Sequence, residues 1–417
     1  MKKEIGLSLG YKIGGMSLSF IAISLLIQNV GVGTYGVWAT LISLLAWLQL
    51  SDFGVGYALK NRIASGDNPK ELLNLTIGVF QFYIVISCVI AVLFVFLGDY
   101  SDLVRQYKTE TMILYLGMIL FFPLTVGSAI LQGMQKNSIS NFMMFVQSLL
   151  WLACVYLWSH GATLMALSIL YISTVLVIAF FQYIWGLHLL TKHIREAFVE
   201  IKNYKNFYLA IPLWGIGVRF VVLQLTSIIL FSLGTYLTYS NLSPEAAAKY
   251  DVLFKFFQIF LTGFGIILSV YWPSISQAIG QSNHATLKRK FIELHLISFS
   301  VSVAALLFAT IIAQPLIDIY SHHKIHISMH EALVFCGFIS IQMFAYSGAV
   351  FLNAAEQLKG QMFWAVFAAI FLVPLALYFY SMGIGFSSVP LATALLIVPS
   401  LFYCNWRAYF YVVKKLA

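Results

Sequence analysis

Apolar residues run along this chain in long unbroken stretches, separated by short polar breaks. Twelve stretches lie at about 10–30, 34–58, 73–97, 111–133, 139–158, 162–187, 207–233, 251–275, 292–317, 332–354, 361–382 and 387–410. Each is near the roughly 20 residues that a helix needs to cross the hydrocarbon core of a bilayer. Breaks such as Ser65-Gly66-Asp67-Asn68-Pro69, Gln135-Lys136-Asn137-Ser138, Ser159-His160-Gly161 and Gln281-Ser282-Asn283-His284 separate them. The runs are continuous rather than alternating, which excludes a transmembrane β-barrel. The pattern predicts an all-α polytopic membrane protein with short loops.

Positive charge orients the spans. With a cytoplasmic N-terminus, 17 of the 24 Lys and Arg residues fall on the cytoplasmic side. Arg105, Lys108, Lys249 and Lys324 fall opposite, and Lys12, Arg219 and Lys255 lie within or near spans. Losing or adding one helix scrambles this asymmetry, so twelve helices with both termini cytoplasmic are predicted. The longest cytoplasmic connection separates six spans from six. It predicts an N-terminal lobe at 1–190, a linker at 191–206 and a C-terminal lobe at 207–417. Gly33-Thr34-Tyr35 after the first span is echoed by Gly234-Thr235-Tyr236 after the seventh. Both halves begin inside and hold an even number of helices, so the repeat is expected to be parallel.

Composition adds exclusions. Hydrophobic residues make up 61% of the 417 and charged residues only 9%, against about a quarter charged in soluble domains. A soluble enzyme, a disordered chain and a disulfide scaffold are poor fits. The net charge of +9 follows from basic cytoplasmic loops and does not call for nucleic acid. Cys88, Cys154, Cys336 and Cys404 lack CxxC spacing and read as small buried hydrophobes. Met1-Lys2-Lys3-Glu4 resembles a signal-peptide start, but the apolar run after it is too long, so an uncleaved first helix is expected.

The chain carries no GxxxxGK[ST] phosphate loop and no HExxH or Cys/His ligand set, so neither an ATPase nor a metal centre is expected. His322, His323, His326 and His330 cluster at 320–330, where a solvated external loop is expected. No long external loop is present to carry polymerase or glycosyltransferase chemistry. Transport is the default reading.

Charges inside the membrane are costly and need a reason. Arg219 lies in the seventh span beside Pro212, Gly215 and Gly217, which predict a bent or broken helix. It sits about twelve residues in, or roughly 18 Å along the axis. That is deep for snorkelling in a core about 30 Å thick, and favours a water-filled location. Lys255 follows Asp251 by four residues, on one helical face. Either the two form an ion pair or Lys255 joins Arg219 in a cationic cavity. Lys12, beside Gly14-Gly15, is placed either in a cavity or at lipid phosphates. Asp52, late in the second span, either pairs with Lys60 or Arg62 at the cytoplasmic rim or lines a cavity that binds protons or cations. Glu293 and Asp318 are gate or surface candidates. The aromatics Tyr35, Trp38, Trp47, Trp214, Tyr271 and Trp272 serve either as interfacial anchors or as stacking surfaces for sugars.

The segment Thr34-Tyr35-Gly36-Val37-Trp38-Ala39-Thr40, the turn Ser51-Asp52-Phe53-Gly54-Val55-Gly56 and the following Leu59-Lys60-Asn61-Arg62-Ile63-Ala64 resemble the Wzx-type polysaccharide (O-antigen) flippases. These belong to the multidrug/oligosaccharidyl-lipid/polysaccharide exporter (MOP) superfamily. Trp272-Pro273-Ser274, leading to a basic loop at Lys288, Arg289 and Lys290, is similar too. The resemblance implies a MATE-like pair of six-helix lobes forming a V around a central cavity, with broken first and seventh helices. It implies alternating-access transfer of an undecaprenyl-diphosphate-linked oligosaccharide to the external leaflet of the bacterial cytoplasmic (inner) membrane, without enzymatic chemistry. The cationic cavity maps to Arg219, Lys255 and Lys12, and gating or ion coupling to Asp52 and Asp251. No cofactor is implied beyond a proton or sodium gradient. A polysaccharide polymerase and a chain-length regulator are the implied protein partners.

Competing readings remain open at this point. A drug or cation exporter of the same superfamily needs a negatively charged cavity built on Asp52 or Asp251. A lipid II flippase shares the mechanism and differs in head group.

Overall fold

In hydrocarbon every backbone N–H and C=O must be satisfied within the chain, and helices do this locally. The apolar runs accordingly form helices in the computed structural model, which describes residues 2–45, 52, 54–65, 68–97, 102–191, 206–355 and 357–414. Among the described residues, ten helices are long and apolar enough to cross a membrane. The protein is a multi-pass membrane protein.

In chain order the helices are α1 (Lys2–Val30), α2 (Val32–Leu45), α3 (Val55–Ser65), α4 (Pro69–Leu97), α5 (Asp102–Gln106), α6 (Lys108–Leu124), α7 (Val126–Gly133), α8 (Asn137–Trp158) and α9 (Leu164–Thr191). Then follow α10 (Phe207–Asn241), α11 (Pro244–Gly280), α12 (His284–Leu307), α13 (Ala313–Tyr320), α14 (Met329–Ala354), α15 (Lys359–Ser381) and α16 (Ser388–Arg407). A π-helical turn, Phe308–Ile312, joins α12 to α13.

Three expectations are corrected. The first and seventh spans, expected to be broken, are the single helices α1 and α10. Pro212 lies inside α10, where it costs one hydrogen bond to the preceding turn without ending the helix. The second span, expected to end near 58 with a turn at 51–56, has α3 starting at Val55 after that turn and running on to Ser65. Gly54, at φ 71°, precedes α3 in a conformation that favours glycine. The basic run Lys288-Arg289-Lys290 is helical, within the first turns of α12, rather than in a loop. All four cysteines are free, with Cys336 and Cys404 buried as expected but Cys88 exposed.

The chain forms two compact units. One comprises Met1–Thr34 with Leu44–Gln224, the other Tyr35–Ser43 with Leu225–Ala417. The division falls inside α10, and the stretch Tyr35–Ser43 of α2 belongs to the second unit. Most of the linker expected at 191–206 lies outside the described residues.

In the first unit α1 packs along α8, and α9 packs on α6 and α7. Polar bridges pin α1 to α8. Asn141 Nδ2 donates to Ser8 Oγ at 2.5 Å, and Asn29 Nδ2 donates to Ser159 Oγ at 2.6 Å. Interhelical hydrogen bonds of this kind supplement packing where lipid supplies no hydrophobic drive. In the second unit α14 is the central helix, packed against α11, α12 and α16. Phe335, Phe338 and Phe351 of α14 are fully buried, and Ser298 and Ser347 share a hydrogen bond of 2.6 Å between α12 and α14.

Candidate functional site

The second unit holds a buried polar triad. Tyr35 and Asp251 are 1% and 7% exposed. The Tyr35 hydroxyl donates to Asp251 Oδ2 at 2.5 Å, and Lys255 Nζ donates to the same oxygen at 2.6 Å. Lys255 Nζ also lies 3.3 Å from Tyr35 Oη. Of the two readings raised by the four-residue spacing, the structure realises the ion pair. The carboxylate is neutralised by one ammonium and fixed by one phenol. Gly36 makes this geometry possible. A Cβ there would run into the Pro244 carbonyl, so glycine lets α2 approach the start of α11 closely enough for Tyr35 to reach Asp251.

The triad opens a longer polar face. Asp251, Lys255, Gln258, Thr262 and Ser269 recur at intervals of four, three, four and seven, which aligns them on one side of a 3.6-residue helix. The face extends about 27 Å along α11 at ~1.5 Å per residue, close to the roughly 30 Å core of a bilayer. Gln258 and Ser269 are exposed, and Lys255 and Thr262 partly so. A polar face this long is costly against hydrocarbon, which favours its bordering water or other polar groups. Beside it is a cavity of about 330 Å³ lined by Ser227, Ile228, Phe231 and Ser232 of α10, Gln258, Leu261 and Thr262 of α11, and Tyr346 of α14. Of these residues sequence reading singled out none. The signal was there in the three- and four-residue polar spacing that continues from Lys255, which a search confined to charges passes over.

The first unit holds a separate polar site around Asp52. Asp52 Oδ1 accepts from the Gly56 backbone N–H at 2.8 Å and from the Tyr83 hydroxyl. The carboxylate thereby satisfies an otherwise orphaned donor in the first turn of α3, where the helix dipole favours negative charge. The expected rim pairing with Lys60 or Arg62 is not what the structure shows. Lys60 donates to Gln132 Oε1 at 3.1 Å, and Arg62 faces Glu71 at 3.4 Å. Asp52, Lys60, Tyr83, Thr125, Ser128 and Gln132 nevertheless line one cavity of about 200 Å³.

The other candidates are dispersed. Arg219 lies in α10, but its side chain is outside the described residues, as are those of Trp214 and Trp47. Lys12 is exposed on α1. Glu293 accepts from Arg289 at 2.7 Å and from Tyr271 at 3.3 Å. Lys290 donates to Ser274 at 2.8 Å over the Tyr271 ring. His323 lies 2.5 Å from Asp318 Oδ2 and His326 2.8 Å from Oδ1, and all four histidines are exposed, as expected of a solvated loop. Among the described residues no group of His, Cys, Asp and Glu is arranged to hold a metal ion.

No family model matches the chain. It is 24% identical over 281 residues to a Salmonella typhi protein named "Putative O-antigen transporter", a match spanning 63% of this chain and 61% of that relative's length. Its structure is similar to that of an inward-facing multidrug resistance MATE family transporter of the MOP superfamily, with a TM-score of 0.72 at 12% identity over 96% of each chain. The fold is MATE-like. The lipid II flippase MurJ, in an inward closed conformation, has a similar fold, with a TM-score of 0.70 at 13% identity, over 100% of this chain and 90% of that one.

Proposed function

We propose that the protein is a flippase that moves undecaprenyl-diphosphate-linked oligosaccharide repeat units from the cytoplasmic to the external leaflet of the bacterial cytoplasmic membrane. The observation that carries this reading is the polar face of α11, which extends about 21 Å at ~1.5 Å per residue from Lys255 through Gln258 and Thr262 to Ser269. Sugars and phosphates cannot cross hydrocarbon unaided. A polar face lets the head group cross while the polyprenyl tail stays in lipid. The named relative supports the substrate class, and the MATE-like fold supports transport by alternating access rather than covalent chemistry. In this reading Arg219, Lys255 and Lys12 are the cations for the diphosphate, and Asp52 in its cavity is the candidate for coupling to a proton or sodium gradient. Asp251 serves as the partner of Lys255. The polysaccharide polymerase and chain-length regulator act downstream of the flipped product. A cation exporter is the weaker reading, because the carboxylate of Asp251 is already occupied by Lys255 and Tyr35.

The test is complementation of a bacterial strain lacking its own polysaccharide flippase, with surface polysaccharide and the membrane face of accumulated lipid-linked units as readouts. Wild type restores export. Arg219→Ala and Lys255→Ala at matched expression trap units on the cytoplasmic face, while Arg219→Lys retains part of the activity. Full export by both alanine variants removes the cations from the mechanism. A wild type that exports drugs but no lipid-linked sugar removes the flippase reading itself.

A further inference from the structure

We propose that the 330 Å³ cavity of the second unit is a recognition site for the uncharged sugar residues of the substrate, an inference that rests on the flippase reading above. Its chemistry is distinct from that of a phosphate or cation site. The polar groups come from Ser227, Ser232, Gln258, Thr262 and Tyr346, and Phe231 adds an aromatic surface. None of these side chains carries a charge at neutral pH. Hydroxyls and a carboxamide both donate and accept hydrogen bonds, as the neighbouring hydroxyls of a sugar ring do. Among the described lining residues an anion would find no cation, and a metal ion no carboxylate, imidazole or thiolate.

Size and placement agree with a sugar. The cavity lies within the range of roughly 300–1,000 Å³ typical of small-molecule sites, far above the ~30 Å³ share of one water. Gln258 and Thr262 follow Lys255 on the same face of α11, about 4.5 and 10.5 Å further along the axis at ~1.5 Å per residue. A head group whose phosphate lies near Lys255 therefore brings its first sugars beside these side chains. The cavity sorts substrates by glycan, while the cations respond to the diphosphate common to all of them.

The experiment uses the full-length protein in lipid nanodiscs. The probes are bare undecaprenyl diphosphate and undecaprenyl diphosphate carrying disaccharides that begin with glucose, galactose or N-acetylglucosamine. Wild type is expected to bind at least one glycosylated probe about tenfold more tightly than the bare lipid, the scale of one or two net hydrogen bonds. Gln258→Leu and Thr262→Val are expected to shrink that preference to about twofold or less, each variant's bare-lipid affinity serving as its own reference. The inference is overturned if no glycosylated probe exceeds the bare lipid, or if both variants keep the preference. If neither bare nor glycosylated diphosphate binds better than undecaprenol, the flippase reading fails and takes this inference with it. Thr262→Cys, in a cysteine-free background of unchanged melting temperature, gives a second readout. The preferred glycosylated probe should protect the thiol from labelling and the bare lipid should not. Equal labelling with both overturns the assignment.

Discussion

Removing Lys255 strands a carboxylate whose side chain is only 10% exposed, whereas the Lys255 side chain is itself 35% exposed. A fully buried pair broken on one side costs about 3–5 kcal/mol, and partial exposure lowers that to about 1–3 kcal/mol here. Lys255→Met is therefore expected to lower the melting temperature in detergent, and Asp251→Asn in the same chain to restore most of the loss. A double-mutant cycle with no coupling would show that the pair is incidental. At Asp52 the two halves of its role separate. Asp52→Ala removes the acceptor for the Gly56 N–H and is expected to cost about 1 kcal/mol, as lost helix caps do. Asp52→Asn keeps an acceptor and is expected to fold like wild type. If Asp52 couples transport to an ion gradient, the asparagine variant transports without responding to collapse of that gradient.

Helices were legible because backbone hydrogen bonding in lipid leaves little choice beyond them, and the observed helices follow the apolar runs closely. Helix interruptions were not legible in the same way. Pro212 and its neighbouring glycines marked α10 as breakable, yet the helix continues. A described break falls instead at Asp52 and Gly54, just before α3, at the turn read at 51–56. A proline removes one hydrogen bond, which a packed helix can absorb. A turn that places a carboxylate at the next helix start supplies its own replacement bonds. Gly36 is the sharpest test at this scale. Its missing side chain admits the Pro244 backbone, so Gly36→Val must push α2 off α11 and separate Tyr35 from Asp251. The expected cost is about 1–3 kcal/mol, typical of overpacking, read as a lower melting temperature of the purified protein. Gly6→Val, where a Cβ meets nothing within 4 Å, is the control and should be nearly silent.

For the molecule as a whole, the basic residues predict a cytoplasmic N-terminus and C-terminus. Alkaline phosphatase fused after residue 101 should be active in cells, and the same reporter fused after residue 136 should be inactive. The reverse pattern would invert every assignment of cytoplasmic and external ends. Charge asymmetry of this kind is a sum over many loops, so it survives errors in any one helix end.

The amino-acid sequence by itself determined the all-helical membrane class, the approximate spans and the shared helical face of Asp251 and Lys255. Each depends on short-range regularities: run length, loop charge and the four-residue spacing of a helix. Tertiary structure decided what those residues meet. Tyr35 is 216 residues from Asp251, and Tyr35–Ser43 of α2 joins the second unit, a union no local pattern encodes. The cavity beside Gln258 likewise draws on three helices, and its neutral polar lining becomes a site only where packing leaves room between them.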